Sequence, residues 1–215
     1  MVESPRQPLP RPRLLWLVLA LLFGAALASF MLAAMPPVAR PTLPVDASAR
    51  GEAFEQALAA TLTKVRPAGE EWAIAIDPAD INAWLATRLP QWIAHDPALA
   101  DLAPATTIRI AAISGALILE DSVRPPGAAV VSLPVDPTLA DGRLTLSIGT
   151  ARIGRLPIPG AASALAALLR TALDDLASGP AQIRLGDGRR VELRDISCEP
   201  GRIALAFATL PAASP

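Results

Sequence analysis

The chain has one histidine, one cysteine, no tyrosine and a single lysine among 215 residues, and its aromatic share is 4%. Each scarcity narrows what the protein does. One histidine and one cysteine remove most metal sites, and leave no Cys/His or Ser/His catalytic pair that does not use His95 itself. The lone Cys198 has no partner for an internal disulfide, and a buried inert thiol is its default reading. With so few aromatic residues the core must be aliphatic. No enzyme, no cofactor and no metal is expected.

What remains beside those gaps is apolar: hydrophobic residues make up 52%, much of it alanine, with 23 prolines and 18 arginines. This bias resembles a GC-rich bacterial genome more than a physical adaptation. The length leaves room for one ordinary domain once an anchor and a tether are set aside. Setting aside Arg6, Arg11, Arg13 and Arg40 on one side, and Glu3 on the other, leaves 15 basic and 19 acidic residues from Pro41 onward, a balance of −4. A mildly acidic domain is a poor match for nucleic acid, whose phosphates call for clustered cations.

The first 13 residues read as a cytoplasmic N-terminus. Leu14 to Met35 is then a run of 22 residues without a charge. A helix of that length spans about 33 Å, matching a hydrocarbon core of roughly 30 Å. Arg6, Arg11 and Arg13 precede it and only Arg40 follows closely, so the positive-inside rule places the N-terminus in the cytoplasm and the rest outside it. The expected location is therefore the bacterial inner membrane, single-pass, with the domain periplasmic or otherwise extracytoplasmic. A cleaved signal peptide is the competing reading, because Ala26-Leu27-Ala28 offers a small-x-small site. Against it, the run continues through Phe30, Met31, Leu32 and Met35. Either way the domain is exported.

Residues 36–47, with Pro36, Pro37, Pro41 and Pro44, read as a proline-rich tether. The exported domain, 48–215, begins with a helix over Ser48 to Arg66 whose Phe54, Leu58, Leu62 and Val65 share one face. Glu71 to Asp77 alternates as a half-buried strand should. Asp77-Pro78-Ala79-Asp80 then supplies an N-cap, a proline at the first helical position and an acid in the first turn. The helix that follows carries Ile81, Trp84, Leu85 and Leu89, with Pro90 bending or breaking it and Asp96-Pro97 ending it.

From Thr106 to Pro159 short runs at two-residue spacing, with turns at Ser114-Gly115 and Asp141-Gly142, predict an antiparallel meander. The apolar phase slips by one residue around Gly149. Gly160 to Ser178 reads as a helix with Leu165, Leu168, Leu169, Leu173 and Leu176 on one stripe. Three closing strands follow, near Ala181 to Leu185, Arg190 to Ile196 and Arg202 to Ala208. The expected fold class is α+β: an N-terminal transmembrane helix, then one domain in which a strongly twisted antiparallel β-meander packs on amphipathic helices.

Candidate acid/base pairs all have structural readings. Asp77 with Asp80 is helix capping, Glu120 with Asp121 lies at a strand end, and Asp174 with Asp175 sits on a polar helix face. His95 reads as a solvated residue at a helix C-terminus. Gly186-Asp187-Gly188 lacks the strand-to-helix setting of a phosphate-binding loop and reads as a hairpin turn. Arg184, Arg189, Arg190 and Arg194 are interleaved with acids and read as a mixed solvated edge.

The order of elements carries a resemblance. The Asp80-Ile81-Asn82-Ala83-Trp84-Leu85 helix start follows one strand. The meander ends in Gly142-Arg143-Leu144-Thr145-Leu146-Ser147-Ile148-Gly149 and Gly154-Arg155-Leu156-Pro157-Ile158-Pro159. Over roughly Trp72 to Leu210 this resembles the YpmS-like family of bacterial proteins. The resemblance implies one transmembrane helix and an exported domain without established enzyme activity, and it carries no functional residue across. In outline the architecture is also similar to tubular lipid-binding folds. The expected ligand is a lipid or another apolar molecule held between helix and sheet, lined by Leu165, Leu169, Leu173, Leu176 and Trp84. The alternative is a scaffolding role through contact with an envelope protein.

Overall fold

The computed structural model describes residues 11–35, 41–123, 129–160, 179–185 and 188–211; the side chains of 11–20, 101, 122–123 and 129 lie outside that description. The fold is α+β, with both of its sheets antiparallel. The chain starts in α1 (Arg11–Ala34), a 24-residue helix. Its described side chains point outward: Leu21 is 74% exposed, Phe23 73% and Phe30 70%. Among the described residues no helix is long and apolar enough to cross a membrane, and of α1 only the side chains from Leu21 onward are among them.

Helix α2 (Ala47–Thr63), strand β1 (Glu71–Ile76) and helix α3 (Pro78–Thr87) lie close to where the periodicity predicts them. Asp77 is the N-cap of α3, its Oδ1 accepting from the Ala79 N–H at 2.8 Å. Pro90 separates α3 from a short α4 (Leu89–His95) by sitting in the first turn of the new helix, where its missing N–H costs nothing. Past Asp96-Pro97 the chain continues as a 3₁₀ helix (Pro97–Thr106), because Asp96 caps it by accepting from the Ala98 N–H.

The described strands form two sheets, the predicted meander and one that joins the closing strands to the first. One is the meander itself: β2 (Arg109–Ile113), β3 (Ala116–Val123), β4 (Ala129–Ala140), β5 (Arg143–Ile148), β6 (Arg152–Ile153) and β7 (Leu156–Pro157). The long β4 pairs β5 along its C-terminal half and β6 along its N-terminal half. The phase slip at Gly149 is this crossing: Gly149 donates to the Pro134 carbonyl at 2.8 Å and lies too close to that ring to carry a side chain comfortably. At the β4–β5 turn Asp141 and Gly142 both take positive φ, +53° and +69°, as a type I′ hairpin requires.

The second sheet joins distant parts of the chain in the order β1, β10 (Arg202–Leu210), β9 (Arg190–Glu199), β8 (Gln182–Arg184). Local periodicity marks each strand but cannot show that the first strand pairs with the last. The two sheets meet at their hairpin ends, where Gly115 donates to the Cys198 carbonyl and Gly201 to the Ala112 carbonyl. The core is aliphatic as the composition demands: Leu133, Val135 and Ala151 with Leu119, Leu146 and Ile148 in one sheet, and Val191, Ile203 and Phe207 buried in the other.

The C-terminal end of α1 meets the domain at the β6–β7 turn. Arg155 N–H donates to the Leu32 carbonyl at 2.9 Å, capping one of the four carbonyls a helix end leaves open. Gly154 sits beneath it at φ +58°, where a Cβ would run into the carbonyl oxygens of Ala33 and Met35.

Candidate functional site

Two polar clamps hold α2 across α3, and what they leave open is the candidate site. At one clamp Arg50 reaches Asp80, Nε donating to Oδ1 at 2.8 Å, and Asp77 at 3.2 Å. The hydrogen bond it donates to Asp80 pushes the Arg50 guanidinium above its ordinary value. At the other, Glu55 accepts from Arg88 at 2.9 and 3.3 Å and from Trp84 Nε1 at 3.2 Å. The Arg88 bonds hold the Glu55 carboxyl below the usual range. Between the clamps Gly51 is buried against the Ala83 backbone, and a Cβ there would come within 2.6 Å of Thr87 Oγ1. A glycine at this point lets the two helices approach closely.

The neighbouring stripe of α2 faces β1 across an open cleft of about 420 Å³, within the roughly 300–1,000 Å³ typical of ligand sites. Ala53, Phe54, Ala57, Leu58 and Thr61 form one wall, and Ile74, Ala75 and Ile76 the other. Phe54, Leu58, Ile74 and Ile76 are only half-buried. The Arg50–Asp80 pair closes one end. At the other end of β1, Trp72 stacks on Phe207 at 4.7 Å, with the Arg66 guanidinium 4.0 Å above its ring.

The sequence places two of these residues, Phe54 and Leu58, on an apolar face, but nothing local says that this face borders open space. Trp84, expected to line a ligand site together with Leu165, Leu169, Leu173 and Leu176, bonds Glu55, meets Trp92 edge-on at 5.9 Å and is not among the residues lining this cleft. Its spacing on α3 aims it at α2 and α4 and away from the cleft. Leu165, Leu169, Leu173 and Leu176, and the helix expected over Gly160 to Ser178, lie outside the described residues, as do Asp174 and Asp175.

His95 is exposed in the last turn of α4, Nδ1 lying 2.8 Å from the Gln91 carbonyl. Burial pushes the Cys198 thiol up. Burial also lowers the Arg109 guanidinium. Glu120 is not at a strand end as expected; it lies within β3, buried, in register with Arg109 and Ser132. Arg189 is less solvated than the sequence implies, because it donates to the Thr63 and Lys64 carbonyls at the end of α2. Among the described residues no group of His, Cys, Asp and Glu could hold a metal ion.

No family model, no curated protein and no solved structure matches this chain.

Proposed function

We propose that this chain is a membrane-anchored, non-enzymatic binding protein of the bacterial envelope, whose exported domain receives an elongated, largely apolar ligand in the cleft between α2 and β1. One observation carries the binding reading. Phe54 and Leu58 face Ile74 and Ile76 across open space rather than closing on them, whereas a core would bring them together to native packing density. The absence of histidine and cysteine chemistry and the structural employment of the carboxylates in the clamps support a role without catalysis.

The anchor part rests on the uncharged run Leu14 to Met35, the arginines before it, and the outward-facing Leu21, Phe23 and Phe30 of α1. It places the N-terminus in the cytoplasm and the domain outside, consistent with the likeness to YpmS-like proteins. A lipid acyl chain and an extended segment of an envelope protein are the two ligands of this description; the open edge of β1 favours the second.

Two measurements test the proposal on the full chain. Carbonate washing of membranes should leave the protein in the pellet, and release into the supernatant would remove the anchor. Titration with the apolar fluorophore anilinonaphthalene sulfonate should show a saturable site that Leu58→Asp abolishes. Unchanged binding in that variant would place the site elsewhere.

A further inference from the structure

The two edge strands nearest the helices are treated differently. In β2, Ile110 directs its N–H and C=O outward and both are taken by the Asn82 side chain; two residues on, the Ala112 carbonyl is taken by Gly201. That edge is closed, as natural sheets close edges that must not pair. In β1 the outward groups can be identified from the ladder. Thr209 donates to the Glu70 carbonyl and accepts from Gly69, so the antiparallel alternation turns Trp72, Ile74 and Ile76 toward β10. Glu71, Ala73 and Ala75 therefore present N–H and C=O to the other side. Ala75 lines the cleft there. No described residue outside the ladder bonds to Ala73 or Ala75.

We infer that the cleft takes an extended segment of a partner protein, added as a further strand on β1 beneath α2. This rests on the binding reading above and narrows it. An acyl chain seated on this edge would strip water from backbone donors and acceptors and give nothing in return. A polypeptide strand satisfies them, and a strand added to an edge is a recurrent mode of peptide recognition. The walls specify its chemistry. Alternate side chains would point to Phe54, Leu58, Ile74 and Ile76, which selects aliphatic residues at every second position. On the opposite face Ala73 and Ala75 leave the partner's backbone room to approach. Glu71 is exposed and has no ion pair among the described residues, so a basic residue across from it completes the match.

The test uses the full chain in detergent and a set of eight-residue peptides alternating valine or leucine with serine, each with one arginine at a polar position. Binding should weaken at least tenfold when alternate peptide amides on the pairing edge are N-methylated, and stay unchanged when the other amides are. Ala73→Pro removes an outward N–H and no ladder bond, since Ala73 does not bond β10 and does not line the cleft, and should weaken binding at least tenfold while the apolar fluorophore still binds. Hydrogen exchange at Ala73 and Ala75 should slow more than tenfold on peptide addition, with Ile74 unchanged.

Fluorophore binding without peptide binding overturns the strand inference and leaves the apolar site standing; loss of both overturns both. Slow exchange at Ala73 and Ala75 before any peptide is added overturns it too. Slowing independent of protein concentration assigns the edge to another segment of this chain, and slowing that grows with concentration assigns it to a second copy.

Discussion

Asn82 and Ile110 exchange two hydrogen bonds: the side-chain amide donates to the Ile110 carbonyl at 2.8 Å, and the Ile110 N–H donates back to Oδ1 at 2.7 Å. Asn82 is 1% exposed, so its amide stands in for a missing strand partner inside the protein. Asn82→Ala would leave two half-buried backbone groups of Ile110 unpaired, each costing about 1 kcal/mol. Asn82→Asp keeps the acceptor and loses the donor. Urea denaturation should rank wild type above Asn82→Asp and Asn82→Ala; equal midpoints would show that the pair contributes nothing.

Gly51 sets the distance between α2 and α3. Replacing a helical glycine with alanine ordinarily helps by about 1 kcal/mol, but here the added carbon meets Thr87 Oγ1 and the Ala83 backbone. Gly51→Val, which adds two further carbons, should destabilise by about 1–3 kcal/mol. A thermal melt that matches or exceeds the wild type would show that the helices are free to separate.

The Glu55 clamp depends on pH. Arg88 holds the folded carboxyl below its ordinary value of 4.5. The contribution is therefore complete above that value and is lost as pH falls through the lower folded value. Glu55→Gln should remove this acid limb, so that the stabilities of variant and wild type, separate at pH 7, converge in strong acid. Parallel pH profiles for the two proteins would contradict it.

Gly154 ties α1 to the domain. An alanine there must hold a positive φ, at about 1–2 kcal/mol, and push against the carbonyls of Ala33 and Met35. Gly154→Ala should free the helix end, seen as faster proteolysis in the 41–46 segment with the domain's own melting little changed. Identical cleavage rates would mean that the hairpin does not hold the helix.

Much of the fold is legible in the sequence, and the reason is local. The strict alternation of Glu71 to Asp77, the Asp77-Pro78 cap and the Asp141-Gly142 turn each act within a few residues, so β1, α3 and the β4–β5 hairpin follow directly. The pairing of β1 with β10 depends on residues more than a hundred positions apart, and no periodicity encodes it. The site was legible only in part. Phe54 and Leu58 announce an apolar face, but whether that face is covered is decided by Gly51, Glu55 and Arg50 fixing α2 on α3. Trp84 is a large aromatic on an apolar stripe, and nothing local in the sequence shows that its indole N–H donates to Glu55 on another helix.

On the proposed reading a ligand is held in the cleft between α2 and β1, and not on the Trp84 side of α2. Fluorophore titration of wild type, Leu58→Asp and Trp84→Phe tests it directly. Binding lost in Leu58→Asp and retained in Trp84→Phe is the predicted result; binding retained in Leu58→Asp and lost in Trp84→Phe would contradict it.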